Sequence, residues 1–201
     1  TVMPSCRTPI SRFPLLFALA LALVASSPAD ALSLAVGLDF TGSSFGSQSS
    51  SFPPDTMGGV GPQHIVELLN GRYAVYRKSD GVRVQTSSLN QFWTSAVTGF
   101  SGSTFDPRIL YDAPSQRWFA ASVDNARAVN GYLVAVSASS DPTAGWSGFR
   151  IDADASDTLW ADFPTLGINA DAVVVAATMF SLGSSPLPSS SGVVVIPKAD
   201  L

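Results

Sequence analysis

Four aspartates crowd one stretch of the chain, Asp152, Asp154, Asp157 and Asp162. Closely spaced carboxylates on a loop offer the hard oxygen ligands that Ca²⁺ takes, which makes this stretch the calcium candidate. The pattern is not that of an EF-hand. Counted from Asp152, the sixth position holds Asp157 instead of Gly and the twelfth holds Phe163 instead of Glu. Asp also serves turns readily, so solvated loop carboxylates are the competing reading.

His64 is the single histidine and Cys6 the single cysteine. A zinc site built from both residue types would need Cys6, which lies in the leader described below. Composition leaves a Ser-His-Asp arrangement open, but a triad is defined by geometry, and a histidine heading an apolar strand reads first as structural. Glycoside hydrolysis needs two positioned acids; with fourteen Asp in the chain the census selects no pair. Glu67, the only glutamate, lies near Tyr73 and Tyr76. Alternation along His64–Leu69 gives it the plainer role of an outward residue on a half-buried strand.

The elements that must carry these residues follow from composition. The 201 residues are 46% hydrophobic and 13% charged, with 16 Gly and 14 Pro. Glu and Lys, which decorate exposed helices, total three. That balance excludes a charged coiled coil and a long disordered chain, and suits short strands joined by many turns. A net charge of −4 and a pI near 4.7 argue against nucleic-acid binding.

Residues 1–31 are expected to be a signal peptide. Arg7 and Arg12 precede the apolar run Leu15–Ala25, and Ala29-Asp30-Ala31 supplies an A-x-A cleavage site. The run is too short to span a hydrocarbon core about 30 Å thick, so no transmembrane anchor is expected in the mature chain. The exported protein would hold no cysteine and would rely on its core, on metal ions or on oligomerisation. Residues 32–52 read as a Ser/Gly-rich N-terminal segment, with Gly42–Ser51 a flexible linker and Leu34–Phe40 a strand that could close a ring.

Residues 53–201 show a recurring layout of proline, apolar strand, turn, second strand, loop and third strand. Pro62 heads His64–Leu69, the Asn70-Gly71 turn, Arg72–Arg77 and Val82–Gln85. Pro107 heads Ile109–Tyr111, Trp118–Val123 and Tyr132–Ser137, and Pro164 heads Thr165–Ile168, Val173–Thr178 and Val193–Ile196. Asn-Gly between apolar runs signals a hairpin whose two turn residues both take positive φ. The prolines stand 45 and 57 residues apart, around the roughly 40–50 residue period of propeller blades. The fold expected is all-β, a partial β-propeller of about three four-stranded antiparallel blades. A β-sandwich is the alternative. Closed propellers have typically four to eight blades, so the domain is expected to be truncated at its C-terminus.

Three stretches resemble a family: Pro53–Val66, Phe105–Asp112 followed by Arg117-Trp118-Phe119, and Trp160–Gly167. They are similar to the N-terminal part of secreted bacterial proteins with propeller-like repeats and no assigned activity. The resemblance implies a fold and an exported location, and brings no catalytic or cofactor residues with it. Ser139–Trp146 also looks like a degenerate form of the Asp-box turn of sialidase-like propellers, which is a structural turn. Trp93, Trp118, Trp146 and Trp160 fall about once per unit and read as core or turn packing. The expected function is a periplasmic, cell-surface or extracellular binding or scaffold module, whose ligand is a carbohydrate or a protein. A secreted glycosidase-like hydrolase acting on polysaccharide or glycoconjugate is the alternative.

Overall fold

Asn70-Gly71 turns the chain between the strands His64–Leu69 (β2) and Arg72–Arg77 (β3), with Leu69 paired to Arg72 across the turn. In this computed structural model, which describes residues 33–183 and 187–201, only Gly71 takes a positive φ, 84°. Asn70 stays out of the left-handed region because its side chain is drawn into the bonds described below. The expected signal peptide, with Cys6, lies outside the described residues, as do residues 184–186 of the Ser/Pro-rich loop.

Residues 36–201 form one compact unit. Within it, β2 and β3 belong to a four-stranded antiparallel sheet in the order of the chain, with Met57–Val60 (β1) and Arg83–Ser87 (β4) at its edges. A second four-stranded sheet follows: Thr104–Asp112 (β5), Arg117–Asp124 (β6), Gly131–Ser137 (β7) and Trp146–Asp152 (β8). The third has Leu159–Ile168 (β9), Ala172–Ser181 (β10) and Pro188–Pro197 (β11). One helix, Leu89–Ala96 (α1), links the first two sheets. The fold is therefore all-β, with three consecutive meanders and the first strands β1, β5 and β9 in contact in that order.

The central strands of the second sheet, β6 and β7, are buried on both faces, which explains their largely apolar runs. Trp118, Ala120, Leu133 and Ala135 face α1 and the first sheet, while Phe119, Ala121, Val123, Tyr132 and Val134 face the third. In β10 only one face is covered, so burial alternates: Val173, Val175, Ala177 and Met179 are buried. On β11, Val193 and Val195 stay exposed.

The sheet order corrects the proline alignment. Pro62 lies between β1 and β2, whereas Pro107 and Pro164 lie inside β5 and β9. Matching prolines therefore sets the second strand of the first sheet against the first strands of the other two. The strand missed is β1, whose sequence Met-Gly-Gly-Val carries no apolar run. Trp118 explains one of its two glycines: a Cβ on Gly59 would lie 3.0 Å from the indole, and one on Gly61, just after β1, would lie closer still, whereas Gly58 has room. β5 and β9 also run longer than expected, because bulges at Asp106-Pro107 and Phe163-Pro164 carry each strand past its proline.

Residues 34–40 form no strand. Gly42–Ser51, expected to be a flexible linker, is held to the first sheet instead. Ser43 donates from N and Oγ to Glu67, and Ser49 Oγ donates to the Asn70 carbonyl at 2.6 Å. Among the described residues no helix is long and apolar enough to cross a membrane.

Candidate functional site

Corresponding positions on the three sheets share one unusual backbone state. Asp55, just before β1, Asp106 in β5 and Phe163 in β9 have φ of 42°, 51° and 51°. Left-handed backbone is uncommon outside glycine and costs energy, so the surroundings must hold it. Asn70 and Asp106 do much of the holding. The Asp106 N–H donates to Asn70 Oδ1 at 2.6 Å, and Asn70 Nδ2 donates to Asp55 Oδ2 at 2.7 Å and to the Pro53 carbonyl at 3.1 Å. Asp106 Oδ2 accepts the Phe163 N–H at 3.2 Å. Arg108, also buried, lays its guanidinium over the Phe163 ring, 4.5 Å from the centroid.

Charge is crowded here. Burial, then the hydrogen-bonded Asp106 carboxylate beside it, raises the Asp55 pKa. Burial lowers that of Arg108, against the opposing pull of Asp106 and Asp55. Both carboxylates converge on Asn70 Nδ2, which also donates to Asp106 Oδ1 at 3.3 Å.

The four aspartates singled out in the sequence are divided. Asp162 reaches this cluster, its Oδ1 accepting the same Phe163 N–H at 3.1 Å. Asp152, Asp154 and Asp157 remain on the connection from β8 to β9. Asp154 caps that loop, accepting from Ser156 Oγ at 2.9 Å, Thr158 N at 2.9 Å and Leu159 N at 2.8 Å. These bonds hold its carboxyl far below the usual range. Asp152 accepts the Asp154 N–H at 3.2 Å. Among the described residues, no three His, Cys, Asp or Glu side chains are grouped to hold a metal ion.

His64 begins β2 with its Nδ1 buried and 3.8 Å from Asp141 Oδ1. Burial pushes the Asp141 carboxyl up, but hydrogen bonds from Thr143, and then the charge interaction with His64, bring it below its ordinary value. Asp141 sits in Ser139–Trp146, which forms the β7–β8 turn as its Asp-box likeness implies. Around Ser44, Gly42–Gly46 spells G-x-S-x-G. No strand precedes it and no helix follows, so it is not a nucleophile elbow.

Glu67 accepts the Tyr76 hydroxyl at 2.9 Å, while Tyr73 bonds elsewhere. Burial, and next the Glu67 hydrogen bond, push the Tyr76 phenol up. Of the tryptophans, Trp93, Trp118 and Trp160 are core; Trp146 is half-buried. It borders a cleft of about 280 Å³ beside α1 and the β7–β8 turn. Tyr73, Phe92 and Trp146 make the aromatic side, and Gln85, Gln91 and Ser95 the polar rim. Sequence reading missed this cleft because α1 was not assigned.

No family model, curated protein or solved structure matches the chain.

Proposed function

We propose that the three sheets are consecutive blades of a β-propeller, and that the chain is an exported binding or scaffold module of the envelope or the extracellular space. The observation that carries the reading is the row of first strands, β1, β5 and β9, stitched by Asn70, Asp106 and Phe163. A propeller places the first strand of each blade around a central channel, and equivalent strained positions on successive first strands fit such a repeat. The β-sandwich alternative is supported by the same face-to-face packing, since each boundary between sheets holds a two-layer core.

The site favours binding over turnover. Asp55 and Asp106 are spent on backbone and amide partners, and Asp106 is only 7% exposed. The second reading, a secreted hydrolase, draws on Tyr76 and Glu67, a phenol and carboxylate in contact. Against it, Ser43 occupies both Glu67 oxygens and the phenol is made harder to ionise.

A glycan and extracellular-protein array beside a panel of chromogenic glycosides tests this. Retention without turnover is expected. Turnover abolished by Tyr76→Phe would overturn the binding reading in favour of the hydrolase.

A further inference from the structure

We infer that the cleft beside α1 binds a neutral, hydroxyl-rich ligand: a single pyranose ring of a glycan. The inference rests on the binding-module reading above and names its ligand class.

Size sets the first limit. About 280 Å³ lies just under the roughly 300–1,000 Å³ typical of clefts that take drug-sized ligands, which is room for one ring with its substituents.

Charge sets the second. The lining carries no Asp, Glu, Lys, Arg or His. A charged ligand would lose hydration and gain no counter-charge there. A wholly apolar ligand would leave the Gln85 and Gln91 amides and the Ser95 hydroxyl on the rim unused. What suits both faces at once is a ligand with an apolar C–H surface and a hydroxyl edge.

The aromatic side is already fixed in place. Tyr73 stacks on Phe92 with centroids 4.6 Å apart, and Trp146 stands edge-on to Phe92 at 5.1 Å and 76°. Trp146 Nε1 and the Tyr73 hydroxyl both donate to the Pro142 carbonyl, at 2.9 Å and 3.0 Å. With those donors consumed, Trp146 offers a ring surface and no N–H. A proline-rich peptide would also stack on the ring, so decaproline is the control that separates it from a sugar.

The polar rim is held at its base. Gln91 spends Oε1 on the Ser88 N–H in the α1 capping box, which turns its NH₂ into a free donor pair. Gln85 on β4 and Ser95 on α1 are exposed and complete a rim of amide and hydroxyl groups.

The test is a neutral-glycan array followed by tryptophan-fluorescence titration of the folded protein with the best array oligosaccharide and with decaproline. Saturable sugar binding is expected, weakened at least tenfold by Trp146→Ala and several-fold by Gln85→Ala, an exposed change that leaves the core intact. Sugar binding indifferent to both substitutions places the ligand elsewhere and overturns the inference. Saturable decaproline binding without sugar binding overturns it too, while the binding-module reading survives. No retention on glycan or extracellular-protein arrays overturns both.

Discussion

Asp106 Oδ2 receives the backbone N–H of Phe163 at 3.2 Å, so a carboxylate of the second sheet fixes a left-handed residue in the first strand of the third. Its own N–H is meanwhile bound to Asn70 of the first sheet. Replacing Asp106 with Ala removes the acceptor for Phe163 and leaves Arg108 buried with less opposing charge. The expected loss is about 2–4 kcal/mol by urea denaturation at unchanged m-value. Asp106→Asn, which tolerates the left-handed backbone and keeps one acceptor, is expected to lose less. Equal losses would show that the carboxylate charge facing Arg108, and neither the acceptor nor the backbone state, governs the junction.

Asp55 provides the pH dependence of the same junction. Its folded-state pKa is raised, first by burial and then by Asp106. A raised pKa stabilises the fold below the unfolded value, about 3.9, and that contribution is lost as pH rises through the folded value. Asp55→Asn is therefore expected to melt higher than the parent protein at pH 7. The difference should close below about pH 4. Asp55 is partly exposed and screened, so the gain should not exceed about 2–4 °C. A variant that melts lower at pH 7 would contradict the assigned sign.

The strands of the middle sheet could be read from the sequence, since Trp118–Val123 and Tyr132–Ser137 are continuous apolar runs and both faces are covered. The β2–β3 hairpin was legible from Asn70-Gly71 for a different reason, its local turn chemistry. What escaped were features set by distant partners. β1 is glycine where Trp118 needs room, β8 is largely exposed and polar, and bulges carry β5 and β9 through prolines that normally end a ladder. α1 had a local signal, the Ser88–Gln91 capping box, that was not used. The Asn70–Asp106–Phe163 junction had none, because its members lie 36 and 57 residues apart.

Gly61 tests the account of β1. A Cβ at this position would meet the Trp118 indole, which is fully buried and cannot swing away. Gly61→Ala is expected to cost about 1–3 kcal/mol, and pairing it with Trp118→Phe should recover part of that loss. Chemical denaturation of the two single variants and the double variant measures the coupling; strict additivity would mean the glycine answers to something else.

Trp93 illustrates how α1 is tied to the second sheet. Its indole N–H donates to Ser122 Oγ at 2.9 Å inside the core, where both residues are fully buried. Ser122→Ala leaves that N–H without a partner, and the expected cost is about 1–3 kcal/mol. Thermal melts followed by near-ultraviolet dichroism would report the loss and the altered indole setting together.

Asp154 separates the capping role from a solvated one. Ser156, Thr158 and Leu159 all donate to its carboxylate, and their N–H groups would otherwise need water. Those bonds depress its pKa, so its contribution to the fold is present above the unfolded carboxylate value and lost as pH falls through the folded one. Asp154→Ala is expected to speed amide exchange at Thr158 and Leu159 near neutral pH while leaving β6 and β7 protected. Expressed as protection relative to the intrinsic rate at each pH, acidification through the folded value should strip the same two amides of protection in the parent protein and leave the variant unaffected. Unchanged exchange at Thr158 and Leu159 in Asp154→Ala would mean that the strand pairing of β9 with β10, which reaches Leu159, orders the loop without the carboxylate.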